Sequence, residues 1–326
     1  MPHPTARAPH RVRESPVELF RVRDARVAHQ RYRPPEFVRV RTGVYAMRCA
    51  WDTLRPWERY LARVHAFAII HPGAIASHES AAALYDLPIF GEPRDIHVFD
   101  PGRSRSRRFG DVLVHTSENC PPVHTMATGI RVVSPVHAAL ELMRVFPPAF
   151  ALAVADAVTS PARGFGGTVG ELRHLAADQV NRRGRVQLAW LWPRIDGRAE
   201  SAGESVSRAV IEWCGFELPQ IQREFHFDGF TDRVDFFWDG LRIAGESDGY
   251  GKYVAETPRQ TVERVVGEKR REDRLRRNLG GFTRWDWSDT MQVAPLRRAL
   301  LQVGVAAVRP PALALLATLR AHPRSR

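Results

Sequence analysis

RVDFFWDGLRIAGESDGYGKY, residues 233–253, decides how the second half of the chain is read. Asp235 sits in one run, Val234 to Trp238, where apolar and polar residues alternate. Asp239-Gly240 breaks it, and a second run, Leu241 to Ala244, leads into Glu246 and Asp248. An Asp-Gly step between two such runs signals a hairpin, because glycine tolerates the positive φ of a tight primed turn. Folded that way, the strands carry Asp235 and Glu246 toward one end of a sheet. Carboxylates gathered there repel one another unless a cation joins them. Oxygen-only donors select a hard ion such as Mg2+ (or Mn2+). The expected metal site is therefore Asp235, Glu246 and Asp248, acting on a phosphodiester.

Working outward, the whole chain has 326 residues, enough for two or more domains. Hydrophobic residues make up 44%, an ordinary share for a protein with real cores. The net charge of +12 calls for a polyanionic partner, most often nucleic acid; free use of arginine is the plainer account. Cys49, Cys120 and Cys214 are far apart with no CxxC spacing, which argues against a disulfide framework or a thiolate zinc site. A reducing cytoplasm fits. The basic N-terminus lacks an apolar segment, so no signal peptide is expected. No run of eighteen or so apolar residues exists, so no membrane span or membrane partner is expected.

Residues 1–16, rich in Pro, Arg and His, read as a disordered tail. Residues 17–55 read as a partial winged-helix-like unit. Val17, Phe20 and Val27 have loose helical spacing, and a hairpin over Phe37 to Tyr45 turns at Thr42-Gly43. Arg39 and Arg41 alternate with Val38 and Val40, so both arginines share the face that would meet phosphates. A helix is expected from Pro56 to Phe67, and another after Ser77, a candidate cap beside His78. Strands are expected at Asp95 to Phe99, Asp111 to His115 and Gly129 to Val133. The arginine-serine stretch 103–108 offers Arg105 and Arg107 to a phosphate backbone, or is a surface loop of this composition. Ser134-Pro135 opens a helix, Ala149 to Val158 forms an apolar one, and Ala162 to Gly167 reads as a linker. Two short helices follow, and a domain boundary falls near Gly197 to Glu200.

Beyond it the order is helix (from Ser201 to about Trp213), strand (Gln220 to Phe227), the Asp235 strand, the Glu246 strand, a long helix from Pro258 to about Leu279, and a strand from Phe282 to Trp287. This αβββαβ order, with Glu204 in the first helix, Val234-Asp235-Phe236, Gly245-Glu246-Ser247-Asp248-Gly249, Gly251-Lys252-Tyr253 and residues 268–273 (EKRRED), resembles the restriction-endonuclease-like PD-(D/E)xK superfamily. It looks most like the branch related to the very-short-patch-repair (Vsr) endonucleases. The N-terminal part resembles AbiEi-type antitoxins of type IV toxin–antitoxin systems, on residues 41–45 (RTGVY), 77–82 (SHESAA) and Val133-Ser134-Pro135. The resemblances imply an α+β / α/β multidomain chain. In it a winged-helix-like unit and a small α/β region over 56–197 precede a restriction-endonuclease-like domain over 198–308. A C-terminal helix and tail occupy 309–326. They further imply double-stranded DNA as a partner and a cognate toxin as a candidate second one.

The chain departs from the superfamily pattern where Asp248 stands in place of a lysine that would steady the attacking water or the phosphorane charge. Lys252 on the following loop and Lys269 on the long helix are the substitutes. Lys269 is preferred, one further turn along a stripe set by Val262 and Val265. The expected catalytic set is Asp235, Glu246, Asp248, Lys269 and Glu204, with Glu204 equally readable as a capping-box residue with Ser201. Arg270, Arg271 and Arg274 would grip the nucleic-acid backbone alongside Lys252. A chain that binds DNA as an antitoxin-like regulator, its nuclease fold inactive, is the alternative.

Overall fold

The computed structural model describes residues 13–21, 35–248, 258–320 and 324. Among these, strands form three sheets and the backbone divides into two units, so the protein is of mixed α and β class. The first unit runs to Phe146 and adds Pro161–Pro193 and Arg324; the second takes Pro147–Ser160 and Arg194–Ala321.

In the first unit, β1 (Phe20–Arg21), β2 (Phe37–Arg41) and β3 (Val44–Met47) form an antiparallel sheet in the order β1-β3-β2. Gly43, at φ 81, turns β2 into β3 as expected of a glycine there. Phe20, expected on a helix, instead pairs with Tyr45, and Val27 lies outside the described residues. The register shifts between Arg39 and Arg41, so their alternation does not hold. The expected tail is also anchored where it is described: the Arg13 N–H donates to the Leu84 carbonyl, and its guanidinium reaches Asp86 at 2.9 Å.

Helices α1 (Arg48–Asp52) and α2 (Pro56–Ile70) lead to β4 (Ile75–Ala76) and α3 (His78–Tyr85). A six-stranded sheet, β6-β7-β5-β4-β9-β8, is built from β4, β5 (Ile96–Phe99), β6 (Arg107–Phe109), β7 (Val112–His115), β8 (Val123–Thr125) and β9 (Arg131–Val133). Part of the arginine-serine stretch is thus an edge strand, not a loop. α4 (Pro135–Val145) begins at Ser134, whose hydroxyl accepts from the His137 N–H. α5 (Pro148–Thr159) belongs to the second unit, although the sequence grouped it with the first. It is buried on nearly all sides, so it needs cover from more than one partner, and it packs on α8 (Ala202–Trp213). α6 (Val169–Asp178) and α7 (Arg185–Leu191) complete the first unit. Between α5 and α6, Phe165 is buried edge-on to Tyr85, so the expected linker is packed.

The second unit continues from α8 through β10 (Gln220–Phe227), β11 (Phe230–Trp238), β12 (Ile243–Asp248), α9 (Pro258–Asn278) and β13 (Gly281–Asp286). The sheet order is β10-β11-β12-β13, antiparallel except for the parallel pair β12 and β13, which α9 connects. The turn after β11 is one short 3-10 turn, Asp239–Leu241, with Arg242 at φ 52. Gly240 is therefore not the left-handed residue that a primed turn requires. α10 (Trp287–Gln292), α11 (Ala294–Gln302) and α12 (Leu313–Ala317) close the unit. One core cluster joins Val234, Phe237, Ala244 and Phe282 to Leu275 and Leu279 of α9. On the side of α8, Trp285 stacks on Phe236 and donates to the Ser207 hydroxyl at 3.0 Å.

Candidate carboxylate site

Strand alternation places the acids. Phe237 pairs with Ala244 and Ala244 with Phe282, so one apolar row crosses three strands. Two residues along β12 and β13, the same face carries Glu246 and Arg284, which pair across the strands. The β11–β12 pairing ends at Phe236↔Gly245. Its register continued sets Asp235 across from Glu246. There the Ser247 N–H donates to Asp235 Oδ2 at 2.9 Å.

Glu204 joins from α8. Its N–H donates to the Ser201 hydroxyl, the cap bond, while its carboxylate accepts from the Glu200 N–H at 2.9 Å. Ser201 caps the helix, but the reciprocal half of a capping box is not made, because the Glu204 carboxylate takes the Glu200 N–H and not that of Ser201. Gln222 of β10, at φ 56, spans the two acids: its amide nitrogen is 2.8 Å from Glu204 Oε2 and 3.4 Å from Asp235 Oδ1. Asp235 is pushed up to about 7, by burial first and then by the charges on Glu204 and Glu246.

Glu246, buried, faces two guanidiniums. Arg271 takes one oxygen, and Arg284 reaches the other at 2.5 Å. Both arginines also bind Glu268. Burial is outweighed there by these hydrogen bonds, which hold Glu268 below its ordinary value. Asp248 is exposed at the end of β12, with Arg284 3.6 Å away. The structure thus brings Glu204, Asp235 and Glu246 together and leaves Asp248 at the rim.

Lys269 is exposed, not on the inward stripe of α9. That stripe runs through Arg271, Leu275 and Leu279, because Leu275 and Leu279 are what the sheet buries, and Val265 is itself exposed. Lys269 lines a pocket of about 450 Å³ with Glu268, Glu272 and Arg284. Lys252 lies outside the described residues.

The arginines assigned to nucleic acid divide in two. Arg39, Arg105, Arg107 and Arg270 are exposed. Three others are engaged within their own units. Arg41 binds Asp111 at 3.1 Å and lies over Phe67, Arg271 binds Glu246, and Arg274 grips buried Asp232 with both nitrogens at 2.6 Å. Composition counts such residues as free charge; only tertiary pairing reveals them as neutralised. Gln222 and Arg284 were missed. Gln222 is a polar residue within a strand, and its left-handed φ has no sequence signal. Arg284 is one strand-register step from Glu246, a relation that only the parallel pairing creates.

Among the described residues no helix is long and apolar enough to cross a membrane. The chain is thus a two-unit α and β protein with an acid cluster on the two inner strands of a four-stranded mixed sheet. Uncharacterized protein MT2308 and Uncharacterized protein Rv2248, from two strains of Mycobacterium tuberculosis, are each 35% identical to it over 211 residues. The match covers 64% of this chain and 72% of each relative, and the chain belongs to the family of these two proteins. No family model matches the sequence. No solved structure matches it.

Proposed function

We propose that the second unit is a metal-dependent phosphodiesterase acting on double-stranded DNA, related to the Vsr-type branch of the PD-(D/E)xK nucleases. The observation that carries this reading is Asp235, a half-buried carboxylate pushed up to about 7 beside Glu204 and Glu246. Acids crowded in this way gain most from a cation. The donors are all oxygens and fit Mg2+ or Mn2+. Asp235 and Glu246 would hold the ion, with Asp248 at the rim as a further ligand. A bound ion would lower the pKa of its water and offset charge on the scissile phosphate.

The chain's own residues do the positioning. Gln222 ties Glu204 to Asp235, and the Ser247 N–H fixes one oxygen of Asp235. Arg284 and Lys269 line one pocket, where they would meet a phosphate oxygen. Arg39, Arg105, Arg107 and Arg270 supply exposed charge for the backbone. The test is purified protein with supercoiled plasmid, with and without Mg2+ or Mn2+. Nicking or cleavage that needs the ion and disappears in Asp235→Ala, with DNA binding retained, is expected; cleavage unchanged in that variant refutes the assignment.

A second reading is favoured by Arg271 and Arg284, whose guanidiniums already neutralise Glu246. In it the chain is an antitoxin-like transcriptional regulator, with a cognate toxin as partner, and the nuclease fold serves binding alone. Protection of its own promoter in a footprint, with no cleavage under any divalent ion, selects this reading.

A further inference from the structure

Three histidines converge inside the first unit. His78 opens α3, His97 lies in β5 and His115 ends β7. One nitrogen of each lies within 4.8 Å of the others. His97 Nδ1 and His115 Nε2 are 2.9 Å apart, and the rings of His78 and His115 stack at 3.8 Å. His78 and His97 are buried.

Two of the three rings turn a nitrogen toward a carboxylate. His97 Nε2 is 3.3 Å from Glu79 Oε2, a fully buried acid, and His78 Nδ1 is 3.0 Å from Glu141 Oε2. A carboxylate behind an imidazole fixes its tautomer and makes the opposite nitrogen a better donor, which is how metal-binding histidines are supported. That leaves His97 Nδ1, which faces His115, and His78 Nε2. His78 also takes φ 45, a left-handed conformation costly to a side chain and held here where the ring must point inward.

We propose that His78, His97 and His115 bind a divalent transition metal, with Zn2+ as the preferred ion and Glu79 and Glu141 as the acids behind the rings. Three imidazoles and no sulfur suit Zn2+, with water as the fourth ligand at Zn–N distances of about 2.0–2.1 Å. The nitrogens close in by side-chain rotation, since the three elements are already adjacent in the fold. Arg324 is the opposing group: it pairs with Glu79, and its Nη2 sits 3.4 Å from both nitrogens of His97. Its charge there repels a cation. The bound ion would brace α3 against β5 and β7.

The test uses full-length protein without a histidine tag, stripped with chelator, then titrated with Zn2+ by calorimetry and with Co2+ by visible absorption. One ion per chain, an intense four-coordinate Co2+ spectrum and a Zn2+-dependent rise in Tm are expected. His97→Gln and His115→Gln lose all three, and Glu141→Gln weakens Zn2+ binding roughly 10–100-fold. Arg324→Ala tightens it, and Asp235→Asn leaves it unchanged. Should a histidine variant fail to fold, the opposite shifts in Glu141→Gln and Arg324→Ala still decide. Absence of Zn2+ and Co2+ binding by the wild type, or binding that persists in His97→Gln and His115→Gln, overturns the proposal.

Discussion

Asp235 has a folded-state pKa above its unfolded one, and the sign of its effect follows. Below about pH 4 the carboxyl is protonated in both states; as pH rises through about 7 the folded protein must carry the buried charge beside Glu204 and Glu246. Its contribution to stability is therefore whole below about pH 4 and lost between about 4 and 7. Asp235→Asn should leave Tm little changed at pH 4 and raise it at pH 8. A gain that is equal at both pH values would mean that the charge is not the cause. The arginines give a second contrast. Arg274→Ala strands buried Asp232 without its two-pronged partner and should lower Tm, whereas exposed Arg270→Ala should not. Equal Tm values for the two variants would refute the pairing as a structural one. The sequence could not rank these arginines, since both are basic residues on one helix and only the face each presents to the sheet separates them.

At the scale of elements, the site depends on how closely β12 and β13 approach the rings beside them. Gly245 has no side chain because a Cβ there would meet Trp285 at 2.7 Å and Trp238 at 3.3 Å. Gly245→Ala should destabilise by about 1–3 kcal/mol, as overpacked cores do, measurable by urea unfolding. The cap of α8 is the other lever. Ser201→Ala removes the acceptor for the Glu204 N–H and should cost about 1 kcal/mol, again read from the urea midpoint. If Glu204 belongs to the metal site, the same change weakens Mn2+ binding as well. The helices and strands of this unit were legible because their periodicities and caps are local: Ser201, Pro258 and the alternation from Val234 all lie within the element that they define. The turn after β11 was not, because Arg242 takes the left-handed conformation there while donating to the Asn278 carbonyl, a residue distant in the chain.

For the whole molecule, charge would govern the proposed binding to nucleic acid. With a net charge of +12, the proposed DNA binding should weaken steeply with salt. Replacing Arg39, Arg105, Arg107 and Arg270 together by Ala should flatten the plot of log Kd against log salt by roughly 3–4 units if each meets a phosphate. Arg41 and Arg271, held by Asp111 and by Glu246 with Glu268, should not add to that change when replaced as well. An unchanged slope in the fourfold variant would place the nucleic-acid surface elsewhere.

What the sequence determined alone was the order of elements in the second unit and the acids at the end of its central strands. Alternation and capping are written into neighbouring residues, and they place Asp235 and Glu246 on successive strands and Glu204 in the first turn of its helix. What only the tertiary structure decided was which charges are spent. Arg284 meets Glu246 through a parallel pairing that spans the whole of α9. Gln222 reaches Glu204 and Asp235 from another strand, and the three histidines meet from three separate elements. Such encounters depend on register and packing between distant segments, and no local pattern encodes them.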